Sequence, residues 1–108
     1  MTAYALAQVH SVEFGPDIIE YLERIDATLE PFGGRFIVHG GKLETVEGSW
    51  GQSGTIVIEF PDFAQARAWW DSPAYQEILP LRTRRMVADI VLVEGVPTGY
   101  RGADMLEH

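Results

Sequence analysis

The stretch Gly33–Gly95, GGRFIVHGGKLETVEGSWGQSGTIVIEFPDFAQARAWWDSPAYQEILPLRTRRMVADIVLVEG, decides the fold. Its periodicities read as strand, hairpin, strand, helix, strand, with a breaker residue at each junction. Arg35 to His39 and Lys42 to Glu47 read as one strand interrupted at Gly40-Gly41, where paired glycines usually mean a bulge or bend. Gly48 to Gly54 supplies the turn. Thr55 to Phe60 alternates, with Ile56, Ile58 and Phe60 on one side and Thr55, Val57 and Glu59 on the other, and Pro61 stops it. Asp62 with Gln65 three residues later resembles a capping box, after which Phe63, Ala66 and Trp70 share a helical face. Ser72-Pro73 restarts the chain as a second short helix capped by Ser72, and Pro80 is expected to kink or break that helix near its middle. Met86 to Val96, rich in Val, Ile and Leu, is the last strand, and Pro97, Gly99 and Gly102 mark a loose tail.

Upstream, Ala3 to Val12 alternates as a strand with two distinct faces: Tyr4, Leu6, Gln8 and His10 against Ala5, Ala7 and Val9. Gly15-Pro16 opens a helix with Ile18, Leu22, Ile25 and Leu29 at helical spacing, and Pro31 with Gly33-Gly34 ends it. The order strand, helix, strand, strand, helix, strand is the α+β, ferredoxin-like βαββαβ arrangement, a four-stranded antiparallel sheet with both helices on one face. The domain is expected over residues 1–96, followed by a tail over 97–108. With the Ala5 and Ile58 sets beneath the helices, the other face carries Leu6, Val57 and similar side chains. That patch exceeds the roughly few hundred Å² a monomer usually exposes, so a homodimer joined through the uncovered sheet face is predicted.

Composition narrows the function classes. The chain has 108 residues and a formal charge of -8, which repels a phosphate backbone and argues against nucleic acid. It contains no cysteine, which excludes disulfides, thiolate metal sites and a Cys nucleophile. No apolar run approaches the roughly 20 residues of a membrane span, and the N-terminus lacks the pattern of a secretory signal, so a cytoplasmic protein is expected. Leu106, Glu107 and His108 read as the start of an expression tag and carry no functional argument.

The spaced motifs Gly33-Gly34-Arg35-Phe36, Gly40-Gly41, Glu47-Gly48-Ser49-Trp50, Glu59-Phe60-Pro61, Ala66, Trp69, Ser72-Pro73 with Tyr75-Gln76, Arg82 and Val93-Glu94-Gly95 resemble the domain of unknown function 1330 family, within the dimeric α/β-barrel superfamily. The resemblance covers roughly residues 3–95. It implies a ferredoxin-like protomer whose sheet faces a second protomer's sheet and encloses a cavity. The superfamily includes cofactor-independent monooxygenases, isomerases, haem proteins and stress-related proteins without known activity, and fold alone does not choose among them. One departure is His39, where members often carry Arg before the glycine pair.

The candidate catalytic residues are His10, His39 and Glu59. With strands one and three taken as parallel neighbours, His10 and Glu59 fall at one end of the uncovered face, where a carboxylate would orient an imidazole for proton transfer. His39 joins them if the glycine bulge turns it inward. The plainer reading makes them polar residues of the dimer seam. The same three side chains loosely resemble a two-His, one-carboxylate metal set, but their spacing is not diagnostic, and neither a metal nor a cofactor is expected. Tyr21, Trp50, Trp69 and Tyr75 are candidate walls of a small-molecule pocket, whereas Trp70 fits the core. Arg82, Arg84 and Arg85 form the basic cluster, and Arg82 is a candidate for attracting a carboxylate-bearing substrate. Gly51-Gln52-Ser53-Gly54 lacks the strand and helix context of a nucleophile elbow and reads as a hairpin turn.

Three functions fit these residues. The first is a homodimer whose pocket performs cofactor-independent acid/base chemistry, monooxygenase- or isomerase-like. The second is a non-catalytic ligand-binding or stress-related protein, and the third a structural dimer without a functional cavity.

Overall fold

The computed structural model describes residues 1–51 and 53–107; Gln52, in the expected turn, and His108, in the tail, lie outside the described residues. Ala3–Val12 forms β1, Pro16–Leu29 forms α1, and a 3₁₀ turn over Glu30–Phe32 leads into β2, Arg35–His39. Thr55–Phe60 forms β3, Phe63–Asp71 forms α2, Pro73–Thr83 forms α3 and Met86–Glu94 forms β4, with a further 3₁₀ turn over Gly102–Glu107. The sheet order is β2-β3-β1-β4 and every pairing is antiparallel, which is the ferredoxin-like fold.

The antiparallel pairing of β1 with β3 corrects the expectation that they run parallel. The crossover through α1 makes β1 and β2 point the same way, and β3 returns between them as the hairpin partner of β2, so it opposes both.

Register divides the side chains into two sets of rows. Leu92, Ala5, Ile58 and Phe36 align across all four strands on the helix side, as do Ile90, Ala7, Ile56 and His39. Val91, Leu6, Val57 and Val38 align on the opposite side, which no helix covers. Val91 is 51% exposed and Val87 61%, so the uncovered face keeps an apolar stripe in solvent. On the helix side, Ala3, Ala5, Ile58 and Phe60 are buried against Ile25, Leu29, Ala66, Trp69 and Ile78. Gly34 is required where that core is tightest, since a Cβ there would stand 2.7 Å from Phe60 and 2.9 Å from Leu29.

The expected caps are formed: Asp62 accepts from the Gln65 backbone N–H and Ser72 from that of Tyr75. Four local expectations are corrected. Strand β2 stops at His39, whose partner Ile56 is the second residue of β3, which leaves Lys42–Glu47 no strand to pair with among the described residues. The register shift lies near Ile37, between Phe36 and Val38, and Gly40, at φ +75°, turns the chain away. Helix α3 continues unbroken through Pro80, whose missing N–H costs the helix one hydrogen bond, to the Gln76 carbonyl, while the Pro80 carbonyl still accepts from the Arg84 N–H at 3.1 Å. In α2, Ala66 and Trp69 form the buried face while Trp70 is half-buried, because Trp69 docks on α1 and donates its indole N–H to Thr28 Oγ1 at 3.0 Å.

Candidate functional site

Between the sheet and the helices lies a cavity of about 340 Å³. Its walls are apolar: Ala5, Ala7 and Ile58 from the sheet, Ile18 and Ile25 from α1, and Trp69 and Trp70 from α2. Exposed lining residues at one end, including Phe14, Leu22, His39 and Gly40, mark the mouth. The cavity lies within a single chain, because the small side chains of β1 leave space beneath the bulkier helices.

Within these walls sits one polar cluster. Tyr21 of α1 and Tyr75 of α3 join hydroxyls at 2.9 Å, with ring centroids 6.2 Å apart and edge to face. Arg82, two turns beyond Tyr75 on α3, reaches the Tyr75 hydroxyl with a long 3.4 Å bond and lies 5.8 Å from the Tyr21 ring centre. Tyr75, Ile78 and Arg82 repeat at helical spacing on the buried side of α3, so the guanidinium is carried into the protein with only 6% of the residue exposed. No carboxylate pairs with it among the described residues, and its Nε–H has no acceptor. Burial first, and then the Tyr75 interaction, push the Tyr21 hydroxyl well above the ordinary tyrosine range, with Arg82 pulling the other way. Tyr21 therefore keeps its proton and can serve as a donor.

Four of the expected pocket residues, Tyr21, Trp69, Tyr75 and Arg82, line this cavity together. Trp50 does not: it is 42% exposed in the β2–β3 connection and donates its indole N–H to Thr55 Oγ1 at 2.7 Å. His39 faces the helix side and stacks on Phe36, with centroids 4.3 Å apart at 11°, at the cavity mouth. His10 and Glu59 are not brought together. Glu59 pairs in register with Tyr4, six residues from His10 along β1, so about 20 Å of strand separates them. His10 Nε2 instead meets Asp89 at 2.7 Å and Glu59 meets Arg35 at 2.9 Å, both on the uncovered face. Among the described residues no group of three or more His, Cys, Asp or Glu side chains converges as a metal site. The basic cluster also divides, since Arg84 and Arg85 turn outward to Asp17 and Glu13 while Arg82 turns in.

The fold and cavity define a ferredoxin-like α+β protein, and comparison with known proteins makes the assignment specific. The chain belongs to the family described as domain of unknown function (DUF1330), whose model matches residues 2–96. No curated protein matches the sequence. Among solved structures it is similar to RPA0582, a protein of unknown function from Rhodopseudomonas palustris, at 15% identity and TM-score 0.65, covering 89% of this chain and 83% of that one. It is also similar to a dimeric ferredoxin-like protein of unknown function from Jannaschia sp. CCS1, at 16% identity and TM-score 0.63, covering 88% of this chain and 100% of that one. SnoaB, a cofactor-independent oxygenase from Streptomyces nogalater, aligns at 15% identity and TM-score 0.52 over 93% of this chain and 96% of its own. These likenesses establish the fold. No helix among the described residues is long and apolar enough to cross a membrane.

Proposed function

We propose that this protein is a homodimer whose protomers each hold a small organic molecule between helices α1 to α3 and the sheet. The observation that carries the reading is the cavity itself: an apolar enclosure broken by one buried polar cluster, which is the construction small-molecule sites use. A packed core would have filled a space of this size with side chains. The Val91, Leu6, Val57 and Val38 row supports pairing of two copies through the uncovered faces, as does the dimeric state given for the protein from Jannaschia sp. CCS1. His10 and Glu59, each held by a partner on that face, then belong to the seam.

Cofactor-independent acid/base chemistry on the guest is supported by His39 at the mouth, since imidazole suits proton movement near neutral pH. The fold likeness to a cofactor-independent oxygenase favours the same reading. Native and denaturing mass spectra of freshly purified protein test the binding function. A dimer carrying excess mass that is lost on denaturation is the expected result. A dimer that carries nothing, and that binds no member of a panel of small aromatic compounds, would contradict it. Once a turned-over guest is known, His39→Asn should abolish turnover while the guest still binds, and undiminished turnover would remove His39 from the chemistry.

A further inference from the structure

The polar cluster beneath α1 and α3 has more donors than acceptors, and the imbalance specifies the guest. Tyr21 and Tyr75 carry two hydroxyl hydrogens, and the bond between them uses one. The second has no acceptor fixed by that pair. Arg82 adds five N–H donors, of which one makes a long bond to Tyr75, while Nε–H is buried without any partner. The cation is more than nine-tenths buried, lines the cavity and has no carboxylate against it among the described residues. A buried charge left this way is costly unless something else supplies the counter-charge, and the cavity is the space from which it can come.

We infer that the guest is a small organic anion whose charge is shared by two oxygens, a carboxylate, attached to a single-ring or branched apolar body. This inference rests on the binding function proposed above and names the class of molecule bound. A guanidinium edge presents a planar, forked donor set that matches two coplanar oxygens, and a phenol hydroxyl can add a further hydrogen bond. The apolar walls contributed by Trp69, Ile25 and Ile58 take the hydrocarbon body. At about 340 Å³ the cavity lies near the lower end of the roughly 300–1,000 Å³ typical of small-molecule sites, and one ring with an acid side chain fits it.

The test is calorimetric titration of the purified protein with 3-phenylpropionate, with its neutral isostere 3-phenylpropionamide, and with indole as an uncharged occupant of the same space. The acid should bind at least tenfold more tightly than the amide. In Arg82→Met the two affinities should converge, with folding verified by circular dichroism, and Tyr75→Phe should reduce the preference severalfold while keeping the charge in place. Indole or amide binding as tight as acid binding overturns the anion assignment and leaves the binding function standing. So does an acid preference that survives in Arg82→Met. Failure of all three probes to bind overturns both.

Discussion

Replacing Arg82 by Met should stabilise the unliganded protein while it removes acid binding, a sign opposite to that of most substitutions at buried sites. Met retains the unbranched stem of the side chain and deletes the guanidinium. What is lost is one hydrogen bond, weak because it is long at 3.4 Å, and a cation–π contact at 5.8 Å, together about 2 kcal/mol. What is relieved is the desolvation of a buried donor with no acceptor, about 1–3 kcal/mol, together with part of the cost of an unpaired buried cation. The net gain is about 1 kcal/mol, which for a domain of this size raises Tm by about 4 °C. Thermal unfolding followed by circular dichroism, at one fixed protein concentration because the proposed dimerisation would contribute to apparent stability, measures it. A fall in Tm of comparable size would mean that Arg82 is satisfied within the fold, and would refute the reasoning that it waits for an external anion.

Gly34→Ala should lower stability by about 1–3 kcal/mol, seen as a reduced urea midpoint, because the new methyl would meet Phe60 and Leu29 in the buried core; an unchanged midpoint would mean that those side chains move freely. Tyr21 predicts an alkaline limit. Its folded pKa is raised above the ordinary 10.0, so the unfolded chain releases that proton first and stability falls as pH rises above about 10. That loss should be shallower in Tyr21→Phe, and parallel stability profiles above pH 10 would contradict the assignment. Val91→Asp, placed at the β4 end of the uncovered apolar row beside Leu6, should convert the proposed dimer to monomer in sedimentation velocity, and a dimer of unchanged affinity would move the interface elsewhere.

The fold was legible because its signals are local. Asp62 and Ser72 announce their helices by side-chain capping, and the alternation in β1 and β3 separates the two faces before any partner is known. What was not legible depends on docking. Lys42–Glu47 has the composition of a strand but no partner among the described residues, and pairing is a property of the sheet, not of the segment. Trp69 and Trp70 differ by one position on a helix, and contact with Thr28 decides which is buried. The His10–Glu59 pairing failed on strand direction, a topological fact that no spacing within either strand reveals. Arg82 sits two residues from Arg84 and three from Arg85 yet faces the opposite way, and the available signal was its place on the Tyr75, Ile78 stripe of α3. The cavity that it lines depends on how far the helices stand off the small residues of β1, which composition alone does not set.

A crystal structure of the protein grown with 3-phenylpropionate tests the anion site beside Arg82 most directly. The acid should lie beneath α1 and α3, its carboxylate within hydrogen-bond distance of Arg82 Nε and the Tyr75 hydroxyl and its ring against Trp69. A cavity closed by the protein's own side chains, or the acid lodged on the uncovered sheet face, would contradict it.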